Sequence, residues 1–198
     1  MNVLVAGATG KTGRLLTREL IEQGAHPVAL VRESSDTSVL PDDTDTLLGD
    51  LANLQDDVCA GMDVVIFAAG SGGDTDAEMT DKIDRDGART LMDLAEKAGV
   101  ARFVMLSSVG ADAPPPDHEL AHYLQAKHDA DEHLKQRDMP YAIIRPVALT
   151  DGPKTGQVRL GDSVDKSAKA HRADVAAVLA KAAVTGRYDG KALDMQTA

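Results

Sequence analysis

The sequence predicts an α/β protein, a doubly wound and mainly parallel sheet with helices on both faces. Three observations carry that expectation. Short β-rich runs alternate with longer stretches of helical period. The strand candidates are apolar along their length rather than alternating, as strands buried on both faces are. A glycine-rich turn joins the first strand candidate directly to the first helix.

The elements follow in order. "NVLVA" (Asn2–Ala6) is the first strand, and a helix through Leu15, Leu16, Leu20 and Ile21 follows it until Gly24. "PVALV" (Pro27–Val31) supplies the second strand, "DTLLG" (Asp45–Gly49) a weaker third and "DVVIFAA" (Asp63–Ala69) a strong fourth. A long helix is expected from about Asp76 to Ala98, with Gly99 as its stop, before a fifth strand in "ARFVMLSS" (Ala101–Ser108). Pro114, Pro115 and Pro116 break the chain ahead of a helix from about His118 to Arg137. "YAIIRP" (Tyr141–Pro146) gives the sixth strand, Ala173–Val184 another helix and "ALDMQ" (Ala192–Gln196) a final strand.

The chain has 198 residues, enough for one well-buried domain and short for two. It shows no internal repeat or low-complexity linker, so residues 1–198 are expected to form a single domain. The net charge of −11, with Lys and Arg scattered singly, argues against nucleic acid as a partner. The lack of Trp, with two Phe and three Tyr, removes an aromatic platform for bases as well. No apolar run has spanning length and the first strand begins at once, so neither membrane nor leader is expected and the default location is cytoplasmic. Asp outnumbers Glu by 25 to 7, which fits a salty cytoplasm or simply a soluble surface. Cys59 is the single cysteine, so no internal disulfide exists; it lies in an apolar helical stretch as a small buried side chain.

The turn "VAGATGKTGR" (Val5–Arg14) admits two phosphate readings. A triphosphate loop needs glycine five residues before Gly10, and that position is Val5, so Gly10-Lys11-Thr12 does not complete one. Gly7, Gly10 and Gly13, spaced Gly-x-x-Gly-x-x-Gly between strand and helix, fit a dinucleotide loop, in which Thr9, Lys11 and Thr12 also lie. There the glycines permit a tight turn, close approach of amides to a pyrophosphate and close helix–strand packing, and the helix N-terminus favours negative charge. A glycine turn without ligand is the bland alternative.

The end of the second strand selects between cofactors. An acid there would hold an adenosine ribose and favour NAD, but Val31 is followed by Arg32, about 20 residues beyond the glycines. A guanidinium suits the 2′-phosphate of NADP, so NADPH is expected over NAD. Arg14 is a second candidate contact, with Ser34 and Ser35 as hydroxyl donors. Glu33 would repel the phosphate unless turned outward.

With these pieces the chain resembles the short-chain dehydrogenase/reductase superfamily, and within it the small atypical NAD(P)-binding members of the NmrA-like and biliverdin/flavin-reductase-like kind. The carriers, spread over essentially the whole chain, are "GATGKTG", "VALVRE", "GDLAN", "DVVIFAAG", "DRDGARTLMDLAEKAGVARFVMLSS", "YLQAK", "IIRP" and "HRADVA". The resemblance implies a single-domain Rossmann fold with a short substrate-side segment after about residue 147. It implies that Asp50 and Leu51 lie against the adenine and that Ala68, Ala69 and Gly70 border the middle of the cofactor. Ser107 joins the cofactor contacts, and Pro146 and Val147 flank the nicotinamide. With about 50 residues after Pro146, a large sugar-nucleotide pocket is not expected.

Tyr123 and Lys127 are four residues apart and share a face of their helix. An ammonium beside a phenol favours the phenolate and suits Tyr for proton transfer. Ser108, at the carboxyl end of the fifth strand, would polarise a substrate oxygen, and Ser, Tyr and Lys together are what the superfamily uses for carbonyl chemistry. Its helical Asn matches Asp84 here, which alters any proton relay through that position. The alternative for Tyr123 and Lys127 is a surface tyrosine beside a solvated lysine.

Other candidates read as structural. His118 and His122 have zinc-compatible spacing but no HExxH pattern, so no metal is expected, and Asp129–His133 and His128–Glu132 look like surface pairs. His171 reads as a capping or packing residue, and Met79, Met92 and Met105 as core filler. The loop Gly70–Met79 is either a lid over nicotinamide or a long turn. The expected activity is NADPH-dependent hydride transfer to a small carbonyl, quinone or flavin acceptor. The alternative is a redox sensor that binds NADP(H) without turnover. A small-molecule substrate is the expected partner, and a homo-oligomer is compatible with the fold.

Overall fold

The computed structural model describes residues 1–70, 77–117 and 119–198. Its strands are β1 (Asn2–Ala6), β2 (His26–Val31), β3 (Asp45–Leu48), β4 (Val64–Phe67), β5 (Arg102–Leu106), β6 (Tyr141–Pro146), β7 (Ala148–Thr150), β8 (Val158–Leu160), β9 (Lys169–His171) and β10 (Lys191–Thr197). Its α-helices are α1 (Gly13–Glu22), α2 (Ala77–Thr80), α3 (Ala88–Ala98), α4 (Ala121–Lys135) and α5 (Arg172–Thr185). Eight strands form one sheet in the order β3-β2-β1-β4-β5-β6-β10-β8, parallel throughout except for β8, which runs antiparallel to β10. The order reverses between β1 and β4, and that reversal opens a crevice at the carboxyl ends of the two strands.

The apolar strands divide their side chains between two cores. Val3, Val5, Val64 and Ile66 face the layer built from α1 and α5, with Leu16, Leu20, Val175 and Leu179. Leu4, Ala6, Val65 and Phe67 face the opposite layer, with Leu91, Met92 and Ala95 of α3 and Ala130 and Leu134 of α4. Burial on both faces explains why these strands carry no polar alternation. Gly99 ends α3 at φ +72°, a left-handed conformation that favours glycine, and the chain turns back into β5.

The long helix expected from Asp76 to Ala98 begins outside the described residues. From Ala77 it is one helical path interrupted at Asp81–Gly87, where the chain winds as a π-helix that buries Asp84 and Gly87. Such widened turns are uncommon and concentrate at functional sites. Val58 and Cys59 sit in turns rather than in a helix, although both are buried as expected. Strands β7, β8 and β9 have no counterpart in the sequence reading. Each is three residues long and at least partly exposed, so hydrophobic period carries no signal for them. Most of the chain after Pro146 extends or covers the sheet: β10 pairs with β6, β8 with β10, and α5 packs beside α1. No helix among the described residues is long and apolar enough to cross a membrane.

Candidate functional site

The crevice at the strand reversal is the floor of a cleft of about 1420 Å3. The loop after β1, the ends of β2, β4, β5 and β6, and the first turns of α4 all reach it. Among the described residues five cationic side chains line it (Lys11, Arg32, Lys127, Lys166 and Arg172) against two carboxylates, Asp50 and Glu119. In a chain of net charge −11 this local reversal of sign concentrates an anionic ligand at the cleft.

The glycine loop supplies the tightest constraints. Gly7 takes φ +84°, and a Cβ there would fall 2.5 Å from Ala69 N and 2.6 Å from Ala69 Cα, so only glycine lets the β1 and β4 ends approach. A Cβ on Gly13 would collide with Gly7 O and Ala8 Cα, which fixes how closely α1 enters its loop. Gly10 differs: it is exposed, and only Gly7 O comes within 4 Å of where its Cβ would sit. Its bare backbone faces open space at the start of α1. The helix has no side-chain cap at Thr12 and no acid in its first turn. Arg14 N donates to Gly10 O and Leu15 N to Thr12 O, while the amides of Lys11, Thr12 and Gly13 have no acceptor among the described residues and are left for an anion. These features suit a pyrophosphate.

At the end of β2, Arg32 and Ser35 both line the cleft and close a turn on each other, with Arg32 N donating to Ser35 Oγ at 3.0 Å and Ser35 N to Arg32 O at 3.0 Å. Glu33 and Ser34 do not line it. Asp50 and Leu51 form the neighbouring wall. Gly13 and Arg14 lie outside the wall, Gly13 because it packs against the loop and Arg14 because α1 carries it to an exposed face. Thr9, Lys11, Thr12, Ala68, Ala69 and Gly70 all line the cleft.

The other end gathers Ser107, Ser108, Tyr123, Lys127, Pro146 and Val147. Lys127 is not solvated. Its side chain is 2% exposed, and its Nζ lies 2.8 Å from Asp84 Oδ1, 5.6 Å from the centroid of Phe67 and 5.7 Å from that of Tyr123. Burial works against the ammonium, but the Tyr123 phenol, Asp84 and Asp131 outweigh it and hold Lys127 above the ordinary lysine range. Asp84 is fully buried and does not line the cleft, and its ion pair with Lys127 connects it to the site.

A second buried cluster adjoins the first. Ser107 Oγ donates to Asp131 Oδ2 at 2.9 Å, and Arg145 Nε donates to the same oxygen at 2.9 Å. Burial raises the Asp131 carboxyl above its usual range, with Arg145 and Ser107 pulling the other way. The proton of Ser107 is therefore committed away from the cleft. Ser108 Oγ reaches no acceptor among the described residues nearer than Val109 O, at a long 3.4 Å, so its hydroxyl is available to a ligand.

The comparisons with known proteins decide the family. The sequence profile of the NAD(P)H-binding family matches residues 7–185, which include the glycine loop and every other cleft element described above. The chain belongs to the NAD(P)H-binding family. Within it, the chain is 34% identical over 172 residues to the uncharacterized sugar epimerase YhfK of Bacillus subtilis, covering 84% of this chain and 80% of that one. A Bacillus halodurans protein described as a candidate NAD-dependent epimerase/dehydratase superposes with a TM-score of 0.93 at 37% identity, over 100% of this chain and 94% of that one. The anaerobillin reductase ChuY of Escherichia coli O157:H7 superposes with a TM-score of 0.79 at 27% identity, over 99% and 97%. The family and these relatives agree with the likeness to small atypical short-chain dehydrogenase/reductases drawn from the sequence.

Two further cleft residues were not singled out as site candidates in the sequence, although Arg172 lies within "HRADVA". Lys166 and Arg172 reach the cleft from the loop before β9 and from the start of α5. Met79 is exposed at 43% and lines the cleft, so it is not core filler, whereas Met92 and Met105 are buried as expected. The histidine pairs are rearranged. His133 Nε2 meets Asp93 Oδ1 at 2.7 Å rather than Asp129, His128 Nδ1 meets Ala111 O at 2.7 Å, and His122 Nε2 meets Asp81 Oδ1 at 2.9 Å. No metal-holding group of His, Cys, Asp or Glu exists among the described residues. His118 and most of the Gly70–Met79 loop lie outside them. His171 stands at the N-cap of α5 without capping it through its side chain, and its Nδ1 hydrogen-bonds Pro153 O at 3.1 Å.

Proposed function

We propose that the protein is an NADPH-dependent reductase passing hydride to a small carbonyl, quinone or flavin acceptor. The observation that carries this reading is the meeting, in one cleft, of the glycine cradle, Arg32 and the hydroxyls of Ser108 and Tyr123. The amides of the Gly7–Gly13 loop and the first turn of α1 would hold the pyrophosphate, and Arg32 with Ser35 the 2′-phosphate. Asp50 and Leu51 would border the adenine, and Pro146 and Val147 the nicotinamide. The bound cofactor supplies the hydride; the chain supplies orientation, exclusion of water and a proton.

For that proton Tyr123 is the donor, through its phenol oxygen, to the oxygen of a carbonyl or quinone acceptor or to a ring nitrogen of a flavin. Ser108 Oγ donates a hydrogen bond to the same oxygen and polarises it. Lys127 keeps a positive charge under the tyrosine ring, a charge that Asp84 holds in place from behind. Asp131 and Arg145 anchor Ser107, and thereby the turn that presents Ser108. Two relatives carry epimerase names. The sheet-forming role of the chain after Pro146 leaves β7, β9 and the loop around Lys166 to cover the substrate end, which favours a compact acceptor over a sugar nucleotide.

The test is oxidation of NADPH, followed by its absorbance, against a panel of quinones, flavins, simple aldehydes and sugar nucleotides. Turnover with one of the first three classes is expected. A second reading, an NADP(H) sensor without turnover, is favoured by the burial of Lys127, whose Nζ sits over the Tyr123 ring and is salt-bridged to Asp84. Tight NADPH binding with no turnover on any acceptor would select it.

A further inference from the structure

Three charged side chains from separate segments meet at the cleft mouth. Asp151 follows β7 directly, and its Oδ1 accepts from Arg172 Nη1 at 2.8 Å, where α5 begins. Its other oxygen, Oδ2, faces Lys11 Nζ of the glycine loop at 4.0 Å. Both cations line the cleft, while Asp151 does not. Its side chain is 72% exposed and that of Lys11 66%, so the contact adds little to folding stability. Without that explanation, what remains is position. Two cations are brought to opposite oxygens of one carboxylate, beside the exposed backbone of Gly10 and the uncapped start of α1.

A carboxylate bridging an ammonium and a guanidinium has the charge and the paired acceptor geometry of a phosphate edge. We propose that Lys11 and Arg172 form a two-sided clamp on the pyrophosphate of the bound dinucleotide, with Asp151 as an internal anion that holds the clamp ready and yields to the ligand. The clamp rests on the dinucleotide reading of the cleft and adds to it a binding residue, Arg172, outside the glycine loop, and a competitor, Asp151. It is separate from Arg32, which stands at the end of β2, so the clamp acts on the part that NADH and NADPH share. Asp151 also links α5 to the glycine loop across the cleft mouth.

Calorimetric titration of the full chain with NADPH and with NADH at low salt tests this, with circular dichroism checking the fold of each variant. Arg172→Gln is expected to weaken both coenzymes alike, by about tenfold, and Arg172→Lys to retain most of the affinity. Asp151→Asn is expected to tighten both, by about threefold, as the competing charge is removed. In Arg172→Gln the salt dependence of binding should also flatten. Unchanged affinity in Arg172→Gln, or weaker binding in Asp151→Asn, overturns the clamp while the dinucleotide reading stands. Wild-type protein silent to both coenzymes overturns the two together.

Discussion

Lys127 Nζ lies 2.8 Å from Asp84 Oδ1, and both side chains are closed to solvent, at 2% and 0% exposure. The pair ties the buried face of α4 to the π-wound stretch Asp81–Gly87, so the helix that carries Tyr123 is registered against the helix behind Gly70. A Cβ on Gly70 would meet Asp84 Oδ1 at 3.4 Å, which places the carboxylate directly behind the cleft wall.

Removing one member of such a pair strands a buried charge. Lys127→Met or Asp84→Leu alone should each lower unfolding free energy by about 3–5 kcal/mol, and the double variant should recover most of the loss. Urea denaturation of the three proteins checks it. Single variants costing under about 1 kcal/mol would show that water or another group compensates the charge.

Tyr123 is half-buried in the cleft, so its hydroxyl can be removed without opening the core. Tyr123→Phe should reduce kcat by about a hundredfold or more while NADPH affinity stays as it was. Full turnover in the variant would assign the proton to water or to Ser108 and leave the rest of the reductase reading in place.

Arg32 has no ion-pair partner among the described residues, and Glu33 does not line the cleft. Arg32→Glu should weaken NADPH by roughly 30- to 100-fold, from the loss of a charge-assisted pair and the added repulsion, and leave NADH nearly unchanged. Binding curves for the two coenzymes decide it; equal effects on both would remove Arg32 from the 2′-phosphate.

Asp174, in "HRADVA", is 1% exposed and accepts from Thr155 N at 2.9 Å, Gly156 N at 2.9 Å, Thr155 Oγ1 at 3.0 Å and Thr197 Oγ1 at 2.9 Å. Burial raises its pKa, but the Gly156 amide and the Thr197 and Thr155 groups more than offset this and bring it below the ordinary 3.8. A depressed native pKa means the ionised carboxylate stabilises the fold above 3.8, and this contribution fades as pH falls through the native value. Asp174→Asn should therefore cost about 2 kcal/mol at neutral pH. The gap between variant and wild type should narrow in acid. Thermal melts across pH measure both.

Some parts of the site were legible in the chain and others were not, for identifiable reasons. Strand β6 appears where "YAIIRP" placed it, and Gly7, Gly10 and Gly13 perform three different steric tasks in one loop. Local period and glycine spacing carry such features because the residues that decide them are neighbours. Helix α4 is the contrary case. Its inward face runs Leu124, Lys127, Asp131, Leu134, and an apolar stripe interrupted by two charges looks amphipathic at random until their partners are known. Those partners, Asp84, Ser107 and Arg145, come from other elements. The histidines of the same helix fail for the same reason: spacing suggested Asp129 for His133, and packing of α3 beside α4 supplied Asp93.

By itself, then, the chain determined its parallel sheet, its flanking helices and a phosphate-sized turn after the first strand, since each follows from interactions within a few residues. Tertiary structure alone decided which charges are buried and paired and that Lys166 and Arg172 arrive at the cleft from the last quarter of the chain. The physical cause is that a buried charge is tolerated only beside a partner, and distant segments come together only when the sheet stacks them.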